Sequence, residues 1–383
     1  MRPLLPLFLA AALALPPLAE THCEETTRPD PGALHHGIVY YEEGKFGGWP
    51  ANGSMWHWGD EILVCFTRAE HKDQPGHTFD KSTARNAFGR SLDGGLTWTV
   101  EDAQAQGITA FAHDHQVPDG VSPRALDEAI DFTHPDFALL FQNESFHHGP
   151  SHFYFTYDRG RSWQGPFAFP DLDTHGVGAR TDYLVEGERE LLVFLNTGKS
   201  DRREGRVGAF RTRDGGLNWE RVGWIGPEPQ GFAIMPSSVR LPSSEILTTI
   251  RFREDRRTWI TAHLSADDGA TWRELDPPMT DSVNSPPALI LLPDARLVLA
   301  YAFRRGSGEG SSICARLSED GGLNWGGEIV LRGNDGANGD IGYPRIVRRD
   351  DGKLVLTYYW NHALREDQPP YRHIACTIWD PGS

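Results

Sequence analysis

Five times along this chain the same eight-residue pattern returns: Ser or Thr, any residue, Asp, any residue, Gly, any residue, then Ser, Thr or Asn, and Trp. The copies are SLDGGLTW from Ser91 to Trp98, TYDRGRSW from Thr156 to Trp163, TRDGGLNW from Thr212 to Trp219, SADDGATW from Ser265 to Trp272 and SEDGGLNW from Ser318 to Trp325. Their aspartates, Asp93, Asp158, Asp214, Asp267 and Asp320, are spaced 65, 56, 53 and 53 residues apart. A period of this size means one supersecondary unit per copy, repeated side by side. The pattern itself has the chemistry of a tight turn. An Asp carboxylate accepts bonds from turn N–H groups, the Gly reaches φ > 0, and the Trp supplies a large packing face.

Apolar, strand-like runs accompany the copies: EILVCF, FALLFQ, ELLVFLN, EILTTIRF and RLVLAYAF. After the fifth copy comes one further set, with Arg345–Arg349, a turn at Asp350–Lys353, Leu354–Trp360 and His373–Trp379. That set lacks the octapeptide and a fourth strand, which His36–Tyr41 near the N-terminus can supply. No helical stripe of useful length is present. The expectation is an all-β, six-bladed β-propeller, closed so that no long sheet edge stays exposed. The segments 67–90 and 101–130 read as excursions from it. The octapeptide is the Asp box, and over nearly its whole mature length the chain resembles the sialidase-like Asp-box (BNR repeat) β-propeller family, the sialidase or neuraminidase superfamily. The resemblance implies that each box joins the third and fourth strands of a blade at the periphery, so its Asp is structural.

Residues 1–19 carry Arg2 and a short apolar run, with small residues around Ala14 and Ala19, and read as an export signal; the run is too short to span a membrane. The expected division is a signal peptide at 1–19, a linker at 20–34 and one propeller at 35–383. The mature protein is expected without a membrane span, secreted or periplasmic, and monomeric. Lys+Arg total 37 against 53 Asp+Glu, a net charge of −16, which argues against sequence-independent nucleic-acid binding. Cys65, Cys314 and Cys376 sit in apolar runs and read as buried free thiols; Cys23 follows the signal. There is no nucleotide or metal motif, so no cofactor is expected. The acidic loop Asp335–Asp340 reads as a solvated turn or a structural calcium loop. Asn52 and Asn143 head sequons that matter only in a eukaryotic secretory route.

In a propeller, loops converge at the axis, and a ligand site is expected there. The polar residues that precede inner strands are Asn52, Asp131, His134, Arg180, Asp182, Ser237, Asn284, Ser285, Asp340, Tyr343 and Arg345. Arg68, Arg251 with Arg253, and Arg304 with Arg305 end second strands. Clustered guanidiniums suit a carboxylate, which they grip bidentately. The resemblance implies a Tyr nucleophile activated by a Glu, an Asp acid/base and three arginines on a substrate carboxylate, an exception to the two-carboxylate rule for glycosidases. Carried over, Tyr343 matches the nucleophile and Asp80 the acid/base. Arg251 matches one arginine, with Arg304 or Arg305 near the place of another; Arg68, Arg180, Asp131 and Arg345 complete the expected substrate-binding set. Two positions depart from the family: Gly48 stands where the first arginine is expected and Met235 where the Glu is expected. His113, His115, His134, His147 and His148 are alternative bases. These residues point to an exported carbohydrate-active enzyme with a glycan substrate. The expected activity is an exo-glycosidase, an exo-α-sialidase or a related hydrolase of terminal acidic or deoxy sugars. The alternatives are a non-catalytic glycan- or protein-binding propeller and a propeller polysaccharide lyase.

Overall fold

The computed structural model describes residues 31, 32, 34–108, 122–147, 149–279, 284–304, 311–333, 335–365 and 367–382. The segment read as an export signal, Cys23, His113, His115, His148 and Arg305 lie outside the described residues. The chain enters with β1 (Leu34–Tyr40), then builds blade one from β2 (Lys45–Gly48), β3 (Met55–Trp58), β4 (Glu61–Glu70), β5 (Arg85–Ser91) and β6 (Thr99–Asp102). Blade two is β7 (Ala138–Asn143), β8 (Ser151–Thr156) and β9 (Gln164–Phe169). Blade three is β10 (Val177–Gly178), β11 (Tyr183–Val185), β12 (Leu191–Gly198), β13 (Glu204–Thr212) and β14 (Glu220–Trp224). Blade four is β15 (Phe232–Arg240), β16 (Ile246–Glu254), β17 (Arg257–Ser265) and β18 (Arg273–Met279); blade five is β19 (Ala288–Leu291), β20 (Leu297–Phe303), β21 (Ser312–Ser318) and β22 (Ile329–Gly333). Blade six is β23 (Gly342–Arg348), β24 (Leu354–Trp360) and β25 (His373–Trp379), with β1 as its outer strand, paired antiparallel to β25 from Leu34↔Trp379 to Tyr40↔Ile374. The architecture is an all-β, six-bladed propeller whose first strand completes its last blade.

Apolar packing runs between blades. Val39, Phe46, Val64 and Ala87 of the N-terminal strands meet Val355, Tyr359 and Ile374 of blade six. Phe88 and Leu63 of blade one meet Leu140 and Tyr154 of blade two, and similar clusters join each remaining neighbouring pair. Burying both faces of every sheet explains why the strands are continuous apolar runs rather than strict alternations.

Every octapeptide joins the last two strands of its blade. In the third copy Thr212 Oγ1 donates to Asp214 Oδ1 (2.9 Å) and accepts from Gly216 N (2.8 Å), while Asn218 donates its N–H to Oδ1 (2.9 Å) and its Nδ2 to Oδ2 (2.8 Å). The same bonds recur in the fifth copy through Ser318, Asp320, Gly322 and Asn324. The turn glycines Gly95, Gly160, Gly216, Gly269 and Gly322 all have φ between 76° and 92°, which is why this position is always Gly.

Antiparallel order gives the ring two distinct ends. The octapeptide turns and the first-to-second strand turns lie at one end. The second-to-third strand loops and the crossings between blades lie at the other, and the candidate site is built there. Among the described residues no helix is long and apolar enough to cross a membrane.

Candidate functional site

A cavity of about 460 Å³ opens at the loop end, lined by Gly76, His77, Asn284, Arg304, Asn338, Gly339, Asp340 and Arg372. At its centre is Asp340, just ahead of β23. Its Oδ1 accepts from Tyr359 Oη (2.6 Å), His77 Nδ1 (2.8 Å) and Arg304 Nη2 (3.2 Å), and its Oδ2 accepts from Arg372 Nε (3.1 Å). Burial alone would raise this carboxyl. The bonds from His77 and Tyr359 and the charge of Arg372 outweigh it and bring the pKa down to about 2. Asp340 is therefore a fixed anion at neutral pH.

Tyr343 lies in the wall beside this cavity, at a bulge where β23 slips register against β24 between Gly342 and Arg345. Its φ of 55° is left-handed. The phenol oxygen accepts from Arg251 Nη1 at 3.1 Å, and its ring meets that of Tyr359 at 5.9 Å. Burial pushes this phenol up, but Arg251, Arg304 and Arg180, in that order, pull harder, and its pKa falls below that of an ordinary tyrosine. A tyrosine with a stabilised anion is a usable nucleophile.

The three arginines around it have different freedom. Arg304 is spent on the scaffold, with Nε on Gly339 O (2.7 Å), Nη1 on Asn284 O (2.9 Å) and Nη2 shared between Asp340 and Tyr359. Arg180 pairs with Glu204 and donates Nε to Asn52 Oδ1 (3.1 Å). Arg251 meets no carboxylate among the described residues; it bonds Tyr343, Asn284 and the sulfur of Met235, and its buried Nε has no protein partner. A desolvated cation without an anion is costly unless a ligand supplies one, which makes Arg251 the natural seat for a substrate anion.

Met235, at the position where the resemblance expects a Glu, also has a left-handed φ, 59°. Its N–H donates to Asn196 Oδ1 (2.7 Å), and its side chain packs with Ala51, Ile234 and Tyr343. No carboxylate reaches the phenol from here, and the guanidiniums favour the phenolate instead. In blade one the stretch Gly47–Pro50 contributes Trp49, whose ring packs against Phe46, Phe79 and, edge-on, His77.

Tyr343, Arg251, Arg304 and Arg180 thus gather at one place, and four expectations are corrected. Asp80 does not line the cavity. It caps the 3-10 turn Lys81–Thr83, accepting from Ser82 N (3.0 Å) and Ser82 Oγ (2.7 Å), and the same loop sends His77 inward. Arg68 is exposed on β4, where its charge acts on Tyr40 of β1 rather than on the site. Asp131 is at the opposite end of the ring: its carboxylate bonds Thr133, and Ile130 and Phe132 beside it bond Gly215 and Glu188 in the turns there. The reason is that blade two, among the described residues, has three strands, so no inner strand begins at Asp131. Arg345 lies deeper on the axis, donating Nη2 to Ala51 O (2.8 Å) and Thr181 O (2.7 Å) beneath a floor of Ala51, Met235, Pro236, Pro286 and Pro287. Below it an axial cavity of about 170 Å³ holds Asp182, Ser237 and Ser238.

His77, Arg372, Tyr359 and Glu204 escaped the sequence reading. Arg372 sits in the second-to-third strand loop of blade six, and that position was its one available signal. In the Asp335–Asp340 loop, Asp335 pairs with Arg332 and Asp340 with Arg304 and Arg372.

Comparison with known proteins bears on the fold. The chain is similar to a protein of unknown function from Dyadobacter fermentans (19% identity, TM-score 0.68, covering 91% of this chain and 99% of that one). It is also similar to the NanB sialidase of Streptococcus pneumoniae (12%, TM-score 0.58, 90% and 70%) and to an α-L-arabinanase of Penicillium chrysogenum (14%, TM-score 0.57, 90% and 97%). At these identities the likeness is one of fold. No curated protein matches the sequence. The family described as BNR repeat-like domain matches residues 151–356, more than half of the chain. The chain therefore belongs to the BNR repeat-like domain family, and is a sialidase-like BNR-repeat propeller.

Proposed function

We propose that this protein is an exported glycoside hydrolase that removes a terminal sugar bearing an anionic group, with Tyr343 as nucleophile and Arg251 as the principal anchor for the substrate anion. The observation that carries this reading is the pairing of the Tyr343 phenol with a guanidinium that meets no carboxylate among the described residues. A phenol in contact with Arg251 and in the field of Arg304 and Arg180 forms its anion more readily than a free tyrosine. Bond exchange then couples binding to activation. A substrate carboxylate that draws Arg251 away from the phenol frees the oxygen for attack while keeping the cation nearby. The solved structures that the chain resembles support a glycan substrate: they are named as a sialidase, an arabinanase and arabinofuranosidases. Export rests on the signal-like segment 1–19.

The test is turnover of nitrophenyl glycosides of sialic acid, glucuronic acid and rhamnose by the purified protein and by Tyr343→Phe. The expected result is release of nitrophenol from an acidic sugar, reduced by about a thousandfold or more in the variant, as when other enzymes lose a nucleophile. Equal rates in the two proteins would refute Tyr343 as nucleophile. Glycan binding with no turnover on any probe would refute the hydrolase reading and favour a binding propeller. An unsaturated product absorbing in the ultraviolet would point to a lyase.

A further inference from the structure

The loop between β4 and β5 carries the cavity's most exposed titratable side chain. His77 is 44% exposed on its side chain, whereas Asp340 beside it is 12% exposed. Its Nδ1 lies 2.8 Å from Asp340 Oδ1, and its ring is held edge-on by Trp49 at 5.0 Å between centroids. A carboxylate that accepts from one imidazole nitrogen fixes the tautomer and leaves the other nitrogen, Nε2, to exchange protons. Asp340 is fixed in turn by Tyr359, Arg304 and Arg372, so the carboxylate cannot swing away. Asp80 of the same loop instead accepts from Ser82 N and Ser82 Oγ.

We infer that His77 is the general acid and base of this site, and that Asp340 is its positioning residue. This rests on the hydrolase reading above. In the first step the Tyr343 phenolate forms a bond to the anomeric carbon, the bond from that carbon to the leaving oxygen breaks, and the imidazolium gives its Nε2 proton to that oxygen. In the second step a water oxygen attacks the same carbon, Nε2 takes the water's proton, and the bond to Tyr343 breaks to return the phenolate. The imidazolium and phenolate are both restored, so protons and charge balance over the cycle.

The experiment compares His77→Gln with the unaltered protein on two leaving groups of the same acidic sugar, dinitrophenyl and methyl. A dinitrophenolate leaves without protonation and a methoxide does not. General acid catalysis contributes about 10²–10⁴-fold, so kcat/KM of the variant, which reports the step in which the leaving group departs, should fall by that much on the methyl glycoside and by less than about tenfold on the dinitrophenyl glycoside. Equal losses on both, or no loss on either, would overturn the role of His77 and leave the hydrolase reading standing. No turnover of either probe by the unaltered protein would sink the hydrolase reading, and this role with it. Independently of turnover, histidine-selective ¹⁵N NMR should find the neutral His77 ring protonated at Nδ1, and Asp340→Asn should remove that preference. A neutral ring protonated at Nε2 in the unaltered protein would overturn the assignment of Asp340.

Discussion

Replacing Asp340 by Asn tests the electrostatic frame of the site without touching its shape. The folded carboxyl has a pKa of about 2 against an ordinary 3.8. The gap of nearly two units corresponds to roughly 2.5 kcal/mol of folded-state stability at neutral pH. The sign follows from the depressed value. The contribution is fully present above the unfolded pKa near 4 and is lost as pH falls toward 2. Asn adds a second cost that does not vary with pH. An amide presents N–H groups toward Arg372 or His77, which leaves a buried donor facing a donor, at about 1–3 kcal/mol. The variant should therefore be less stable by roughly 3–5 kcal/mol near pH 7, and the gap should shrink by about 1 kcal/mol or more on going to about pH 3. Urea midpoints of both proteins at about pH 7, 5 and 3 measure this, and other carboxylates cancel in the difference. A gap that stays constant across that range would show that the folded carboxyl titrates as it does in the unfolded chain, and a gap that widens as pH falls would show a neutral acid; either would undo the fixed-anion argument.

Asp182 should behave in the opposite sense. Burial raises its carboxyl to about 7, against the pull of Arg345 and the bonds from Ser238, so its stabilising contribution is complete below about pH 4 and fades as pH rises through 7. Asp182→Asn should then match the unaltered protein near pH 4 and be more stable by up to about 4 kcal/mol near pH 8; a variant less stable at pH 8 than the unaltered protein would refute this. Asp214→Ala removes the acceptor of three hydrogen bonds in the third octapeptide turn and should cost about 2–3 kcal/mol in urea denaturation. Turnover per folded molecule should not change, and a matching loss of turnover would mean the turn reaches the site.

The blades were legible because their signals are local. Each octapeptide closes its own hairpin through bonds spanning at most four residues, so the pattern survives in sequence wherever the turn exists. The site is assembled the other way. Asp340 gathers His77 from blade one, Arg304 from blade five and Arg372 from blade six, partners up to 263 positions away in the chain. Arg251 and Tyr343 were readable because each has a fixed place relative to a strand end. His77 was not, because nothing in HTFD distinguishes the His that turns inward from the Asp that caps the next turn. Asp131 misled for a related reason: its place ahead of FALLFQ suits an inner strand, yet blade two has none there among the described residues.

One further feature links sequence to site. Trp49, Met235 and Tyr343 all adopt left-handed φ, and each is followed by proline. The residue before proline is pushed toward extended conformations, and a non-glycine residue with positive φ costs about 1–3 kcal/mol. Such a conformation persists only where its surroundings over-determine it. Trp49 is wedged among Phe46, Phe79 and His77; Met235 is tied to Asn196; Tyr343 is held by Ser285 and Arg251. In β15 and β23 the strained residue coincides with a slip in register, and the slip leaves its side chain in the cluster around the axis. The dipeptides Trp49-Pro50, Met235-Pro236 and Tyr343-Pro344 thus mark three inner strands that give up ladder bonds to aim a side chain inward. Relaxing that geometry should raise stability while taking the phenol away from Arg251, which is the trade expected where backbone strain serves a site rather than the fold.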